Sequence, residues 1–456
     1  MKKHITFALL FAAALTAQAQ QGGISGEMLN QIKQSYKATP ADKAIRNALG
    51  GTSINTLALN QENRADFDTE FSHKVLSKGI TDQQSSGRCW LFTGLNVLRS
   101  QMIAKYGLDE MEFSQNYCFF YDQLEKANLF LQGIIDTSGK PMDDKMVEWL
   151  FKHPLSDGGQ FTGVSDIIEK YGLVPKSAMV ETFSSENTGK MSSLIGLKLK
   201  EFGLQLREAA AAGVKPVELE KKKTEMLGTV YRMLVLTLGE PVSTFTWSLK
   251  GGEAKEYTPV SFYKEFLGND LTNNYVMNDP SREFYKCYEI DFDRHRYDGK
   301  NWTYVNLPIE DIKEIAIASI KDSTMMYFSC DVGKFLDSKR GLLDPDNYDY
   351  ESLMGTTFGM DKKQRIQTFS SGSSHAMTLM AVDLDKAGKP KKWMVENSWG
   401  SASGYRGHLI MTDKWFDEYM FRVVAEKKYV PAKVLDILKQ KPIRLPAWDP
   451  MFADEE

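Results

Sequence analysis

The segment from Gln83 to Met102 constrains the fold of this chain more than any other. A polar turn that contains Gly87 leads directly into Cys89, and apolar residues then recur at steps of three and four positions. That periodicity predicts a helix with one apolar face, beginning at the cysteine. A thiol in the first turn lies among unpaired backbone N–H groups at the positive end of the helix dipole, which favours the thiolate. The segment therefore predicts a nucleophile, although a lone cysteine is more often a buried structural residue.

Three further side chains make the nucleophile hypothesis stronger. Gln83 lies on the turn before Cys89, so its amide can donate to an oxyanion beside the sulfur. His375 opens one predicted strand and Asn397 ends the next, and adjacent antiparallel strands can bring such ends together. Asn397 can then orient the His375 ring, which can hold Cys89 as a thiolate–imidazolium pair. Trp399 follows closely and can shield the hydrogen bond between Asn397 and His375 from water.

These segments, in the order Gln–Cys, His and Asn, resemble the papain-like cysteine peptidases. Five motifs are more closely similar to the bleomycin hydrolase family, also called aminopeptidase C, and these are Ser85–Trp90, Glu112–Gln115, Gly158–Gln160, Cys330–Lys334 and Leu445–Met451. The resemblance implies that Cys89 is the nucleophile, His375 the acid–base group, Asn397 the residue that orients it, and Gln83 the oxyanion donor.

The resemblance also implies how a peptide would bind. Gly158 and Gly159 match the glycine pair that binds the substrate backbone, and Trp399 is expected beside them as a further substrate-binding residue. A carboxy-terminal arm, residues 441–456, is expected to lie in the cleft and to block longer substrates. The carboxylate at its end, at Glu456, would hold the free α-ammonium group of the substrate.

The fold class that follows is α+β, a papain-like fold with a helical half that carries Cys89 and a β-rich half that carries His375 and Asn397. In papain about 130–150 residues separate the catalytic Cys from the His and Asn. Here the interval from Cys89 to His375 is about twice as long, which agrees with a helical insertion. The strongly helical region at about residues 190–240 carries no residue typical of catalysis, and we place the insertion there.

The amino terminus is predicted to be an export signal. Residues 1–19 combine Lys2 and Lys3, an apolar run too short to span a membrane, and small residues before a cleavage site after Ala19. Residues 20–70 are predicted to form an N-terminal arm and residues 71–456 the peptidase domain. We therefore expect an exported, periplasmic protein, although the bleomycin hydrolase family is typically cytosolic.

Composition excludes several other classes of protein. Loss of Lys2 and Lys3 lowers the formal net charge of −4 by two further units, so neither nucleic acid nor an anionic membrane is an expected partner. None of the four cysteines is in Cys-x-x-Cys spacing, and no metal or other cofactor is expected. Ser86 stands where secreted papain-like enzymes have a disulfide-forming cysteine, so Cys118, Cys287 and Cys330 are expected to be buried small residues.

The predicted function is a cysteine aminopeptidase that removes N-terminal residues from peptides. The resemblance implies a homohexameric ring with the active sites facing a central cavity. One alternative is an endopeptidase, if the carboxy-terminal arm is displaced. The other is a non-catalytic binding protein on a peptidase scaffold, which the retention of all four catalytic residue types argues against.

Overall fold

The computed structural model of the protein describes residues 22–65, 68–268, 271 and 274–451. The predicted export signal at residues 1–19 and the predicted ligand Glu456 lie outside these residues. The contacts between residues divide the chain into two compact units. One comprises Met1–Leu59 and Asp349–Thr356, and the other comprises Asn60–Tyr348 and Thr357–Glu456. The first boundary thus falls at Leu59, whereas the sequence analysis placed it at residue 70.

The described residues form α-helices and β-strands in the following ranges. Helices α1 to α16 span, in chain order, Gly26–Ser35, Pro40–Leu49, Ile54–Ala58, Cys89–Tyr106, Gln115–Asp136, Lys145–Lys152, Phe161–Tyr171, Phe183–Glu186, Thr188–Ala211, Pro216–Leu238, Pro259–Phe266, Ile309–Lys321, Tyr350–Met354, Lys362–Gln367, Asp413–Tyr419 and Ala432–Leu438. Strands β1 to β14 span His73–Lys74, Phe245–Trp247, Lys255–Tyr257, Tyr275–Met277, Lys286–Ile290, Thr303–Asn306, Met326–Cys330, Leu336–Asp337, Leu342–Leu343, His375–Leu384, Pro390–Glu396, His408–Thr412, Met420–Val424 and Ile443–Leu445.

The smaller unit consists of α1 to α3 together with α13. Its helices are defined mainly by their capping residues. Thr39 and Asp42 form a reciprocal capping box before α2, which begins with Pro40 at its first position. Because α1 and α2 bury no residue, their position in the chain follows from local capping signals rather than from a core of their own.

Helix α4 is the centre of the helical half of the larger unit. The prediction that it has one apolar face is wrong, because every residue from Cys89 to Arg99 is buried. Neighbouring elements surround it, and a Cβ atom on Gly94 would lie only 2.5 Å from a methyl group of Val164 in α7. The polar residues of α4 are buried with partners, as where Asn96 donates to the Thr81 hydroxyl at 2.9 Å. Cys89 is therefore the first residue of a helix that other elements enclose.

Two long helices, α9 and α10, occupy the region predicted as the helical insertion and pack against α5. The chain reaches α5 through Ser114, whose hydroxyl accepts from the Tyr117 amide as a helix cap. The large apolar residues buried on α9 and α10 recur at helical spacing and are Met191, Ile195, Leu199, Leu206, Leu219, Val230, Leu234 and Leu238.

The β-rich half is built on one mixed sheet, with the strand order β14-β5-β6-β4-β13-β7-β10-β11-β12-β9-β8. Strands β10 and β11 are antiparallel, with Thr378 opposite Glu396, which brings the start of β10 towards the end of β11. Strands β4, β5 and β13 were not predicted. β4 and β13 are buried along their whole length and therefore lack the alternation that marks a half-exposed strand. None of the described helices is long and apolar enough to cross a lipid bilayer.

Candidate active site

Cys89 is the first residue of α4 and is fully buried. The preceding residue, Arg88, occupies the N-cap position and provides no side-chain acceptor for the first-turn amides. The thiol therefore lies where the helix dipole and the backbone N–H groups stabilise negative charge. This is the position predicted from the sequence, and it suits a nucleophilic thiolate.

Arg88 was not predicted as part of the site. Its guanidinium is fully buried, donates to Glu181 Oε2 at 2.8 Å and to the Ser86 hydroxyl at 3.1 Å, and stacks over the Phe92 ring. Burial lowers the pKa of Arg88, and the Glu181 carboxylate opposes that effect. The ion pair fixes the turn that delivers Cys89. Sequence analysis could not find it, because Glu181 is distant along the chain.

The Gln83 side chain is held in one orientation. Its Oε1 accepts from the Ser398 hydroxyl at 2.6 Å, and its Nε2 donates to the Ser86 carbonyl at 2.7 Å. The backbone amide of Gln83 also donates to the backbone carbonyl of Ser398 at 2.8 Å. This bond joins the turn before Cys89 to the residue after Asn397. An amide nitrogen carries two hydrogens, so Nε2 can donate a second bond to an oxyanion.

The structure brings His375 and Asn397 together. The Nε2 atom of His375 lies 2.8 Å from Oδ1 of Asn397, and both residues are buried. The same Oδ1 accepts from the Ser398 amide at 2.8 Å, which identifies it as the oxygen. Nε2 therefore carries the proton, and Nδ1 is the nitrogen that can exchange a proton with a thiol. The Trp399 ring stacks on His375 with centroids 4.8 Å apart and covers this pair, in the position predicted.

Gly158 lies in the loop that precedes α7. Its amide donates to the Ser156 hydroxyl at 3.0 Å, and its carbonyl accepts from Lys126 Nζ at 2.5 Å. Lys126 also donates to the Ser156 carbonyl at 3.0 Å. A lysine on α5 thus fixes the backbone of the glycine pair that is expected to bind the substrate.

There is no room for a side chain at Gly159. A Cβ atom there would lie 2.3 Å from Cε1 of His295 and 3.0 Å from the Trp90 ring. His295 in turn contacts the buried Asp122 carboxylate through Nδ1. Its ring packs edge to face with the Trp90 ring, with the ring centroids 4.8 Å apart. Burial opposes ionisation of Asp122, but Lys126 and His295 together lower its pKa. Asp122, Lys126 and His295 were not predicted as part of the site, because no local motif marks them.

A buried ion pair joins the two halves of the site. Arg99 of α4 donates from Nη2 to Oε1 of Glu396 at 2.5 Å, and Glu396 directly precedes Asn397. The Ser77 hydroxyl also donates to this carboxylate. Burial raises the pKa of Glu396 to about 7, against the opposing effect of Arg99. The helix that begins at Cys89 is therefore tied to β11, which ends one residue before Asn397.

Glu396→Gln is expected to flatten the pH dependence of stability. The folded-state pKa of Glu396 lies above the ordinary value of 4.5, so the folded protein binds this proton more tightly than the unfolded chain. The free energy of unfolding should therefore fall as pH rises from about 5 to 7.5, by on the order of 2–4 kcal/mol from this group. Denaturant unfolding at both pH values measures the difference. Asp337→Asn, which breaks the pair with Arg340 at 2.7 Å, is the matched control. Equal slopes in wild type and Glu396→Gln would contradict the prediction.

Helix α4 begins at Cys89 and packs against β10, which begins at His375, and His375 contacts Asn397. This arrangement and the fold define a cysteine peptidase of papain-like fold. The chain belongs to the Peptidase C1-like family, whose model matches residues 23–452. It is 37% identical over 448 residues to bleomycin hydrolase of Mus musculus, covering 94% of this chain and 98% of that one.

Two bacterial proteins give the same result. Aminopeptidase C of Lactobacillus delbrueckii is 34% identical over 441 residues, covering 94% of this chain and 98% of the relative. The crystal structure of PepW from Lactobacillus rhamnosis superposes with a TM-score of 0.90 at 35% identity, covering 95% of this chain and all of that one. The predicted resemblance to the bleomycin hydrolase and aminopeptidase C family is confirmed.

Proposed function

We propose that this protein is a cysteine aminopeptidase in which Cys89, His375, Asn397 and Gln83 carry the chemistry. The observation that carries the proposal is the 2.8 Å contact between His375 and Asn397, in a fold whose α4 begins at Cys89. The relatives named aminopeptidase C, G and W support removal of N-terminal residues rather than internal cleavage. Neither the endopeptidase alternative nor the binding-protein alternative is favoured by them.

The reaction proceeds by acyl transfer in two stages. The Cys89 thiolate attacks the carbonyl carbon of the scissile peptide bond, and the oxyanion that forms is bound by Gln83 Nε2 and first-turn amides of α4. His375 gives its proton to the departing amine, which leaves a thioester on the sulfur. Water then attacks the thioester with His375 as the base, which releases the acid and restores the thiolate. Asn397 keeps the ring oriented throughout.

The specificity for a free amino terminus is assigned to the carboxy-terminal arm. Strand β14 adds to the edge of the sheet beside β5, and the chain continues to Pro450, whose carbonyl lies 3.9 Å from a Cβ position on Gly372. Gly372 closely precedes His375. We propose that the carboxylate at Glu456 binds the substrate α-ammonium, a charge-assisted contact that contributes about 1.5–3 kcal/mol. That contribution corresponds to a preference of about tenfold to hundredfold over an N-blocked peptide.

The test compares one fluorogenic aminoacyl substrate in its free and N-acetylated forms. The full-length protein should cleave the free form at least about tenfold faster, measured as kcat/KM. Equal cleavage of both forms would reject the aminopeptidase proposal and leave an endopeptidase. No cleavage of either form, with an intact thiol, would leave a binding protein.

We also propose that the protein forms a homohexamer. One support is that the protein is similar to its relatives over almost its whole length. The other is a set of large apolar side chains exposed on α9 and α10, namely Leu194, Leu197, Leu204, Val217 and Leu236. Light scattering should give about six times the chain mass of 51.6 kDa, less the leader if it is removed. A monomer mass at micromolar concentration would reject the hexamer.

Export to the periplasm, with cleavage after Ala19, remains a proposal on the sequence of residues 1–19. If the protein is exported, an oxidising compartment exposes the Cys89 thiolate to sulfenic acid formation and mixed disulfides. The protein isolated from the periplasm is therefore expected to gain activity on addition of a reductant, because reduction restores the thiolate. Activity with and without dithiothreitol measures this, and intact mass identifies the adduct. Uncleaved protein found in the cytoplasm would remove the premise.

A further inference from the structure

Residues 445–451, called here the arm segment, are held by two arginines from other parts of the chain. We propose that Arg282 and Arg422 form a latch that keeps the arm segment beside the active site and thereby determines whether N-blocked peptides are excluded. The inference rests on the proposed aminopeptidase function and names residues that would enforce its specificity.

The first point of the latch is an ion pair at Asp449. Arg282 donates from Nη2 to Oδ2 of Asp449 and from Nε to Oδ2 of Asp279 at 3.1 Å. Asp449 is only 5% exposed, and its Oδ1 accepts from the Met451 amide at 3.0 Å. A buried carboxylate needs such partners to remain charged. The ion pair therefore fixes the turn that shapes the end of the arm segment.

The second point is a hydrogen bond to the main chain of the arm segment. Arg422 donates from Nη2 to the Met451 carbonyl at 2.7 Å, and its guanidinium carbon lies 4.1 Å from the centroid of the Trp302 ring. Both side chains are fully buried. A planar guanidinium stacked on an aromatic ring keeps its donors in a fixed direction. The Met451 carbonyl is thus fixed by a group that belongs to the core.

Arg422 lies in the sheet that presents His375. Arg422 of β13 and Ala376 of β10 pair with the same residue of β7, so Arg422 stands two strands from the residue after His375. Two strand spacings amount to about 10 Å. The Pro450 carbonyl lies 3.9 Å from the position that a Cβ atom on Gly372 would take, and Gly372 lies three residues before His375. The arm segment is therefore fastened to the elements that position His375.

The arm offers its own control residue. Arg444 pairs with Glu289 at 3.4 Å and with Asp291, but its side chain is 62% exposed. Exposed ion pairs contribute little to holding a segment in place. Arg444→Gln removes an arginine contact of the same arm without touching the buried latch.

The experiment measures the ratio of kcat/KM for N-acetylated over free aminoacyl substrate in full-length variants. Asp449→Asn keeps the size of the side chain and an acceptor for the Met451 amide, but it removes the charge that pairs with Arg282. The ratio should rise about tenfold in Asp449→Asn, the change expected on loss of one charge-assisted bond. It should change less than about twofold in Arg444→Gln.

A second measurement does not depend on activity. In a Cys89→Ala background, digestion of the tail by carboxypeptidase, followed by intact mass, should be faster in Asp449→Asn and in Arg422→Lys than in Arg444→Gln. If Asp449→Asn does not fold, Arg422→Lys carries the same two comparisons, since lysine keeps the charge but loses the fixed geometry.

The outcomes separate the latch from the aminopeptidase proposal. A wild-type enzyme that cleaves both substrates equally rejects the proposed specificity, whereas the digestion rates still report on the latch. A wild-type enzyme that discriminates, with an unchanged ratio and unchanged digestion in Asp449→Asn, overturns the latch. Equal effects of Asp449→Asn and Arg444→Gln overturn it as well.

Discussion

Cys89→Ala is expected to lower kcat/KM for peptide hydrolysis by about 10⁴-fold or more, while the protein remains folded. The substitution removes the sulfur atom on which the proposed thioester forms. Alanine has the highest helix propensity and should be accommodated at the first position of α4. The measurement is hydrolysis of a free aminoacyl substrate, with thermal unfolding to show that the fold is intact.

Alkylation provides a control on the same residue. Iodoacetamide at pH 7 should label Cys89 much faster than the other thiols, because burial raises the pKa of Cys287 to about 11 and raises that of Cys118 further still. A thiol with a raised pKa holds little thiolate at neutral pH, and the thiolate is the reactive form. Equal labelling of all four cysteines in the native protein would contradict the assignment of Cys89.

Truncation after Pro450 is expected to convert the enzyme towards an endopeptidase. Removal of residues 451–456 takes away the carboxylates expected to bind the substrate α-ammonium and the segment expected to block the cleft. Cleavage of a free aminoacyl substrate should fall about tenfold to hundredfold, and cleavage of its N-acetylated form should appear. The rate of Cys89 alkylation should stay the same, which separates a change in specificity from damage to the site.

A shorter truncation isolates the role of the carboxylates. Removal of Ala453–Glu456 leaves Met451, whose carbonyl accepts from Arg422. This variant should lose the preference for a free amino terminus and keep most of the steric exclusion of longer peptides. If the full-length enzyme and both truncated forms treat the two substrates alike, the carboxy-terminal arm has no role in specificity.

The residues that face the reaction could be predicted because each belongs to a local pattern. Cys89 follows a turn and opens a helix, His375 opens a strand, and Asn397 directly follows the next one. Short-range signals of this kind lie in consecutive residues, so the positions of these elements followed from the sequence, and the papain-like arrangement followed from the resemblance of the motifs to that family. The sequence also predicted strands at Ala376–Val382 and Lys392–Glu396, within two residues of the observed His375–Leu384 and Pro390–Glu396.

What only the tertiary structure decided is how these residues are held. The pairs that fix the site join positions far apart in the chain, and the main ones are Arg88–Glu181, Arg99–Glu396, Asp122–His295 and Arg282–Asp449. A charged residue can be buried when a partner of opposite charge pairs with it, but the local sequence does not identify that partner. For the same reason α4 was expected to have a solvent-facing side. Polar residues in a helix are usually exposed. In α4, however, Asn96 and Arg99 are buried, because distant segments supply their hydrogen-bond partners.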